Sequence, residues 1–450
     1  MKLERRRSDG RFDDLLLCAF KRTTTNEITI SRTKTNTMGN FSIALSGLQA
    51  NSVALNTIGN NLANLNTTAY KSQSTSFEDL FYQQIGESGS GDAVQVGAGT
   101  KVSGTSRAFT EGTIFPDANA NPANMALSGN GFFVVQQGGV QSLTRAGDFE
   151  LNSSGNLITQ NGQQVMGYPV VNGVVDQTAP LTPIAISPST TQGAQETGVF
   201  SVSANLDSNA ALGTTFSSPL QIFDTLGQSH QATISYTKMA TNTWNYEITL
   251  PAGDATGAPI NNTGTLVFDS SGMLISPLVA VFGIKFPGST DGARDLNINW
   301  ALGVFTGVKT ITQLASASTN NTITQNGHGY STGIYQGFTV DSSGLVTAEY
   351  SNGQTVAIGQ IAVATVANTA GLTASGNNNF ATTVVSGQAS IGVAGAGGRG
   401  TIDDGALEQS NVNIATEFSN LIVAQRAFEA NSKTVTTFDR LSQDVLGMVR

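Results

Sequence analysis

The chain has 450 residues and a net charge of −9, with charged residues at only 12% against roughly 25% in ordinary domains. Gly, Asn, Thr, Ser and Gln fill the deficit, which excludes charge-driven disorder and a nucleic-acid-binding surface and favours strands and tight turns. No apolar run approaches the ~18 residues of a membrane span, and the single cysteine, Cys18, leaves everything from Met38 onward without a disulfide or thiolate metal site.

Residues 1–37 carry nine Lys/Arg against five Asp/Glu, so the rest of the chain is near −13. Leu15 to Phe20, behind Arg5-Arg6-Arg7, is too short for a signal-peptide core and abuts Asp13 and Asp14. These residues are expected to be an extension, disordered or upstream of the true start, with Met38-Gly39-Asn40 as a second start. A helix is predicted directly afterwards. Phe41, Leu48, Leu55 and Leu62 recur every seven residues, Leu45 lies between the first two, and Ile58 and Leu65 widen the stripe. Asn40 or Ser42 caps it, and Asn64, Asn66 and Thr67 end it. Ser52 and Gly59 weaken the seam as a coiled coil.

Strands and turns are predicted across the middle. Phe132 to Val135, Gly138-Gly139 and Val140 to Thr144 read as a hairpin. The phrase Ser153-Ser154-Gly155, followed by Asn161-Gly162, returns as Ser342-Ser343-Gly344 with Asn352-Gly353, and is echoed at Asp269-Ser270-Ser271-Gly272. Each glycine supplies a positive-φ turn position. Linker-like stretches at 179–191 and 320–329 bracket an insert whose segments, such as Thr233 to Tyr236, alternate as strands. His230 and His328 both lie in turn-like contexts and are read as structural or exposed. Gly395 to Gly400 matches a dinucleotide fingerprint by spacing, but no helix follows it. Asp403-Asp404 reads as a solvated loop. No catalytic, cofactor or metal constellation stands out.

A second helix is predicted at the C-terminal end, capped by Asn411 or Asn413. Its stripe runs through Ile414, Phe418, Leu421, Phe428 and Val435, then shifts to Phe438, Leu441 and Val445. Apolar stripes usually face an intramolecular core, but their placement at the two extremes argues for assembly. The expected fold is a mainly β body with terminal α-helices forming a coiled-coil-like assembly domain. Its expected parts are 38–70 with 406–450, an inner β domain of 71–180 with 326–405, and an inserted outer β domain of 181–325.

Four ordered blocks carry a resemblance. Ser46 to Ala50, Ile58 to Asn64 and Asn66 to Lys71 form the first. Ser128 to Phe133 with Thr144 to Phe149 is the second, Gly405 to Val412 the third and Ala424 to Asn431 the fourth. Together they resemble the axial protein family of the bacterial flagellar rod and hook. The large insert after Tyr168, and the segment Phe223 to His230 within it, favour the hook branch. The resemblance implies a non-enzymatic subunit of a flexible tube that transmits torque from rod to filament. It implies contacts with other copies, the distal rod protein, the hook cap protein, the hook–filament junction protein and the flagellar type III export apparatus. It also implies an extracellular place reached without a cleaved signal, and neither cofactor, nucleic acid nor membrane insertion. A distal rod protein is the alternative, and a secreted β-rich binding protein a more distant one.

Overall fold

The computed structural model describes residues 27–119, 121–186, 191–302, 310–323 and 329–448, with the backbone alone for 27–40. Cys18, His328 and the first 26 residues of the expected extension lie outside these. The chain forms two compact units, one of 1–113, 368–372 and 408–450, the other of 114–367 and 373–407.

The first unit contains both terminal helices, α1 (Glu27–Ala63) and α2 (Ile414–Met448). α1 begins eleven residues before Met38, so residues 27–37 are helical rather than disordered. From Glu27 to Met38 there is no Gly or Pro, so nothing stops the helix from propagating backwards. At the other end Asn64 donates to the carbonyls of Asn60 and Asn61, closing the last turn. α2 is capped by Asn413, whose Oδ1 accepts from Thr416 N at 3.1 Å. Strands Gln73–Asp79 and Thr100–Arg107 pair antiparallel and pack on α1. Residues 71–113 therefore fold with the helices, not with the inner β domain to which they were assigned.

The second unit holds two cores. One is built from Met125, Phe133, Phe149, Val165, Val346, Ile361 and their neighbours. Strand Thr355–Thr365 runs through its sheet, pairing with Leu345–Tyr350, Gln164–Val171 and Phe132–Gln137. The predicted hairpin is present, with Gly138 at φ 58° and Gly139 at φ 84°. The repeated Ser-Ser-Gly phrase is a recurring turn: Asn152, Asp269 and Asp341 each accept two backbone N–H bonds through Oδ1. Thr182–Pro183 pairs within this sheet, and Ile184 and Ile186 are in its core, so the chain leaves it after Ile186 rather than at Leu181. Asp403 and Asp404 lie on strand Thr401–Asp404, not in a loop. Successive strand residues face opposite sides, so the two carboxylates share no cleft.

The other core lies between residues 200 and 311 and includes Phe200, Tyr236, Trp244, Ile248, Leu266 and Trp300. Strand Ser229–Ala240 buries His230, Ala232, Ile234, Tyr236 and Lys238 in alternation. Trp300 stacks on Phe200 at 5.9 Å and meets Tyr246 edge-on at 5.1 Å. Thr191–Gln192 pairs with Gly333–Ile334, so the chain leaves for this core and returns from it side by side.

Candidate assembly interface

The buried face of α1 is made of Ala44, Gly47, Ala50, Ala54, Thr57 and Asn61. Their spacing of three and four residues puts them on one side of the helix. Asn61 meets Glu417, and Gly47 lies against Asn431, where a Cβ would come within 3.0 Å of the Asn431 amide. Residue numbers rise on α1 as they fall on α2, so the helices are antiparallel. Small residues let their backbones approach closely.

The predicted leucine stripe lies roughly a third of a turn away on α1, so it is not the seam between the helices. Phe41 and Leu45 are exposed, while Leu48, Leu55, Ile58 and Leu62 are half-buried. On α2, Leu421, Phe428, Val435 and Phe438 are half-buried, and Ile414, Phe418, Leu441 and Val445 are exposed. Exposure reaches 52% at Phe418, 59% at Val445 and 85% at Met448. Of the α2 residues only Ala424 is buried. Both helices thus carry apolar side chains far beyond what their mutual contact covers.

The two chain ends are tied by a buried polar knot that periodicity could not reveal. Lys71 and Glu408, both wholly buried, form an ion pair. Lys71 Nζ also donates to Thr110 O at 2.8 Å, and Glu408 accepts from Gly112 N at 2.8 Å. Asn61 binds the Gln73 backbone through both of its side-chain polar atoms, at 2.8 and 2.9 Å. Asn411 Oδ1 accepts from Ser72 N at 2.7 Å, and its Nδ2 donates to Ala108 O and Thr110 O. Burial lifts the Tyr70 hydroxyl above its ordinary pKa and lowers that of Arg107, whose guanidinium lies 5.8 Å above the Tyr70 ring. The signal was in the sequence: charged and amide residues sat inside otherwise small-residue blocks at both ends.

A similar knot joins the two halves of the second block. Arg145, 4% exposed, donates to the carbonyls of Leu127, Gly129 and Gly131 at 2.7 to 3.0 Å. Gly395 to Gly400 is a turn followed by strand Thr401–Asp404, with Arg399 bonding Ala396 O and Ser390 O. No helix N-terminus faces it, so the phosphate-binding geometry is missing. His230 is buried rather than exposed, with carboxylates at both ring nitrogens.

Three segments match protein-family models. Residues 41–71 match the flagella basal body rod protein model, and 403–448 match the flagellar basal body rod FlgEFG protein C-terminal model. Residues 188–328 match the flagellar basal body protein FlaE D2 domain. The first and last contain the two helices and the polar knot, and the middle one spans the second core. The chain is 32% identical over 424 residues to the flagellar hook protein FlgE of Salmonella typhimurium, covering 91% of this chain and 99% of the relative. It is 33% identical over 431 residues to that of Escherichia coli, with the same coverage. It is 30% identical over 440 residues to that of Borreliella burgdorferi, covering 89% of this chain and 97% of the relative. In fold it is similar to the crystal structure of Helicobacter pylori flagellar hook protein FlgE2, with a TM-score of 0.50 at 14% identity, over 66% of this chain and all of that one.

Proposed function

Since this chain belongs to the flagellar hook protein family, as a structural subunit of the hook, we propose that the apolar faces of α1 and α2 are the surfaces by which copies polymerise. The observation that carries the proposal is exposure. Leu45, Phe418, Leu441, Val445 and Met448 are all exposed on two helices whose shared seam uses small residues instead. Soluble monomers rarely keep contiguous apolar surface of this extent, so a neighbouring subunit is its natural cover. The hook relatives and the D2-domain match favour the hook over the distal rod reading.

The finer expectations rest on family membership. The subunit would have no enzymatic activity. It would be exported unfolded by the flagellar type III apparatus without a cleaved signal, a route compatible with a chain lacking cysteine after Cys18. It would join the distal rod protein below and the hook–filament junction protein above, and assemble under the hook cap protein.

Leu45→Asp and Phe418→Asp test the interface. Both sites are exposed, so the monomer should change by less than about 0.5 kcal/mol. In the polymer each would bury an unpaired carboxylate, costing several kcal/mol, of order ~3 or more. Electron microscopy and sedimentation should find folded monomer and no hooks. Hooks of normal length from both variants would refute the assignment.

A further inference from the structure

Three loops of the second unit converge on His230. Asp224 Oδ2 lies 3.2 Å from His230 Nε2, and Asp291 Oδ2 lies 3.8 Å from the same atom. On the other side of the ring, Asp254 Oδ2 is 2.9 Å from Nδ1. His230 is 6% exposed and Asp224 wholly buried. Among the described residues, His230 is the only basic group paired with these three carboxylates.

Each carboxylate is already held by its other oxygen. Asp224 Oδ1 accepts from Leu226 N and Gln228 N, at 2.8 and 2.9 Å. Asp291 Oδ1 accepts from Ser289 Oγ and Ala293 N, at 2.6 and 3.0 Å. Both Oδ2 atoms therefore remain directed at Nε2. If Nδ1 donates its proton to Asp254, Nε2 is an acceptor facing two further acceptors. A proton on Nε2 can serve only one of them, and the second carboxylate stays unneutralised in a largely buried place.

We propose that Asp224, His230 and Asp291 bind a first-row divalent cation such as Zn²⁺, with Asp254 orienting the imidazole from behind. The three ligand atoms lie within 4.8 Å of one another. Ligands at about 2.0–2.1 Å from a tetrahedral zinc are roughly 3.4 Å apart, close to the 3.2 and 3.8 Å found around Nε2. A carboxylate on the second ring nitrogen is the usual support of a metal-bound histidine. Imidazole with carboxylates suits zinc better than magnesium or calcium, which prefer oxygen alone. The ion would bind the turn at 224–230 to the loop carrying Asp291 and stiffen this core. The site is independent of the terminal helices, so its fate does not bear on the assembly proposal.

Calorimetric titration of the full chain with Zn²⁺ tests it, after chelator treatment and with Cys18→Ser throughout to remove the competing thiol. One equivalent should bind. Asp291→Asn, at a partly exposed position, should lose at least tenfold in affinity with an unchanged far-ultraviolet spectrum. Asp254→Asn should lose 10- to 100-fold. Co²⁺ should give a visible absorption band that His230→Gln abolishes. Absence of a saturable site, or Zn²⁺ affinity unchanged by Asp291→Asn, or a Co²⁺ band that survives His230→Gln, would each overturn the proposal.

Discussion

Lys71 and Glu408 stand 337 positions apart, yet each supplies the other's counter-charge where water cannot. Removing one partner strands a buried charge, so Lys71→Met should destabilise the first unit by about 3–5 kcal/mol. Replacing both, as Lys71→Met with Glu408→Leu, should recover part of the loss, although Gly112 N then lacks its acceptor. Chemical denaturation of the three variants measures this. A loss below about 1 kcal/mol for the single variant would mean that the ends are held otherwise. Asp148 works in the opposite sense. Burial raises its pKa, partly offset by its own backbone N–H, with Glu150 adding to the rise. Its native value lies above its unfolded one, so the native state keeps the proton longer. Stability is then lost as pH rises from about 4 through the native value. Asp148→Asn should raise Tm at pH 7 and leave it unchanged near pH 3. An equal shift at both pH values would show that charge is not the cause.

At the scale of elements, the seam between α1 and α2 depends on close approach at Gly47. A leucine there must displace Asn431, whose amide lies 3.0 Å from the position of a Cβ. Gly47→Leu should therefore cost about 1–3 kcal/mol in the first unit and prevent polymerisation, while the β cores keep their melting transition. Intact hooks from this variant would show that the helices need not pair in this way. The two helices, the capping Asn413, the Gly138-Gly139 hairpin and the Ser-Ser-Gly turns were legible in sequence, because periodicity and positive-φ residues are local signals. The helix seam was not. Heptad spacing drew attention to Leu48 and Leu55, whereas packing selected Ala50 and Ala54, which periodicity alone does not weigh. The knot at Lys71 and the cluster around His230 join residues from distant segments, so only the fold brings them together. Residues 71–113 were misplaced because their strands resemble those of the body in composition, while their partners are helical.

For the molecule as a whole, the second core is an excursion from the first. Gln192 pairs with Gly333 across the point of exit, so residues 193–332 can be replaced by a two-residue Asn-Gly turn without moving the flanking strands. The shortened chain should still polymerise, because the helices and the knot are untouched, but its polymers should lose a stable curvature. Failure of a folded, shortened monomer to assemble would make this core part of the essential contact.

The central claim is that the terminal helices owe most of their order to neighbouring subunits. α2 has 35 residues and a single buried one, Ala424. Helices with so little packing are marginal in water, since nucleation is unfavourable and tertiary contact supplies most of their stability. Hydrogen exchange on verified monomer and on assembled hooks tests this directly. In the monomer, amides from Ile414 to Met448 should exchange quickly, with 41–63 somewhat slower where α1 rests on its strands. In the polymer both segments should slow by about 100-fold or more, a change of roughly 2.7 kcal/mol, while the β cores stay as they were. Equal, strong protection of α2 in monomer and polymer would show that the helix stands without its neighbours, and would contradict the account.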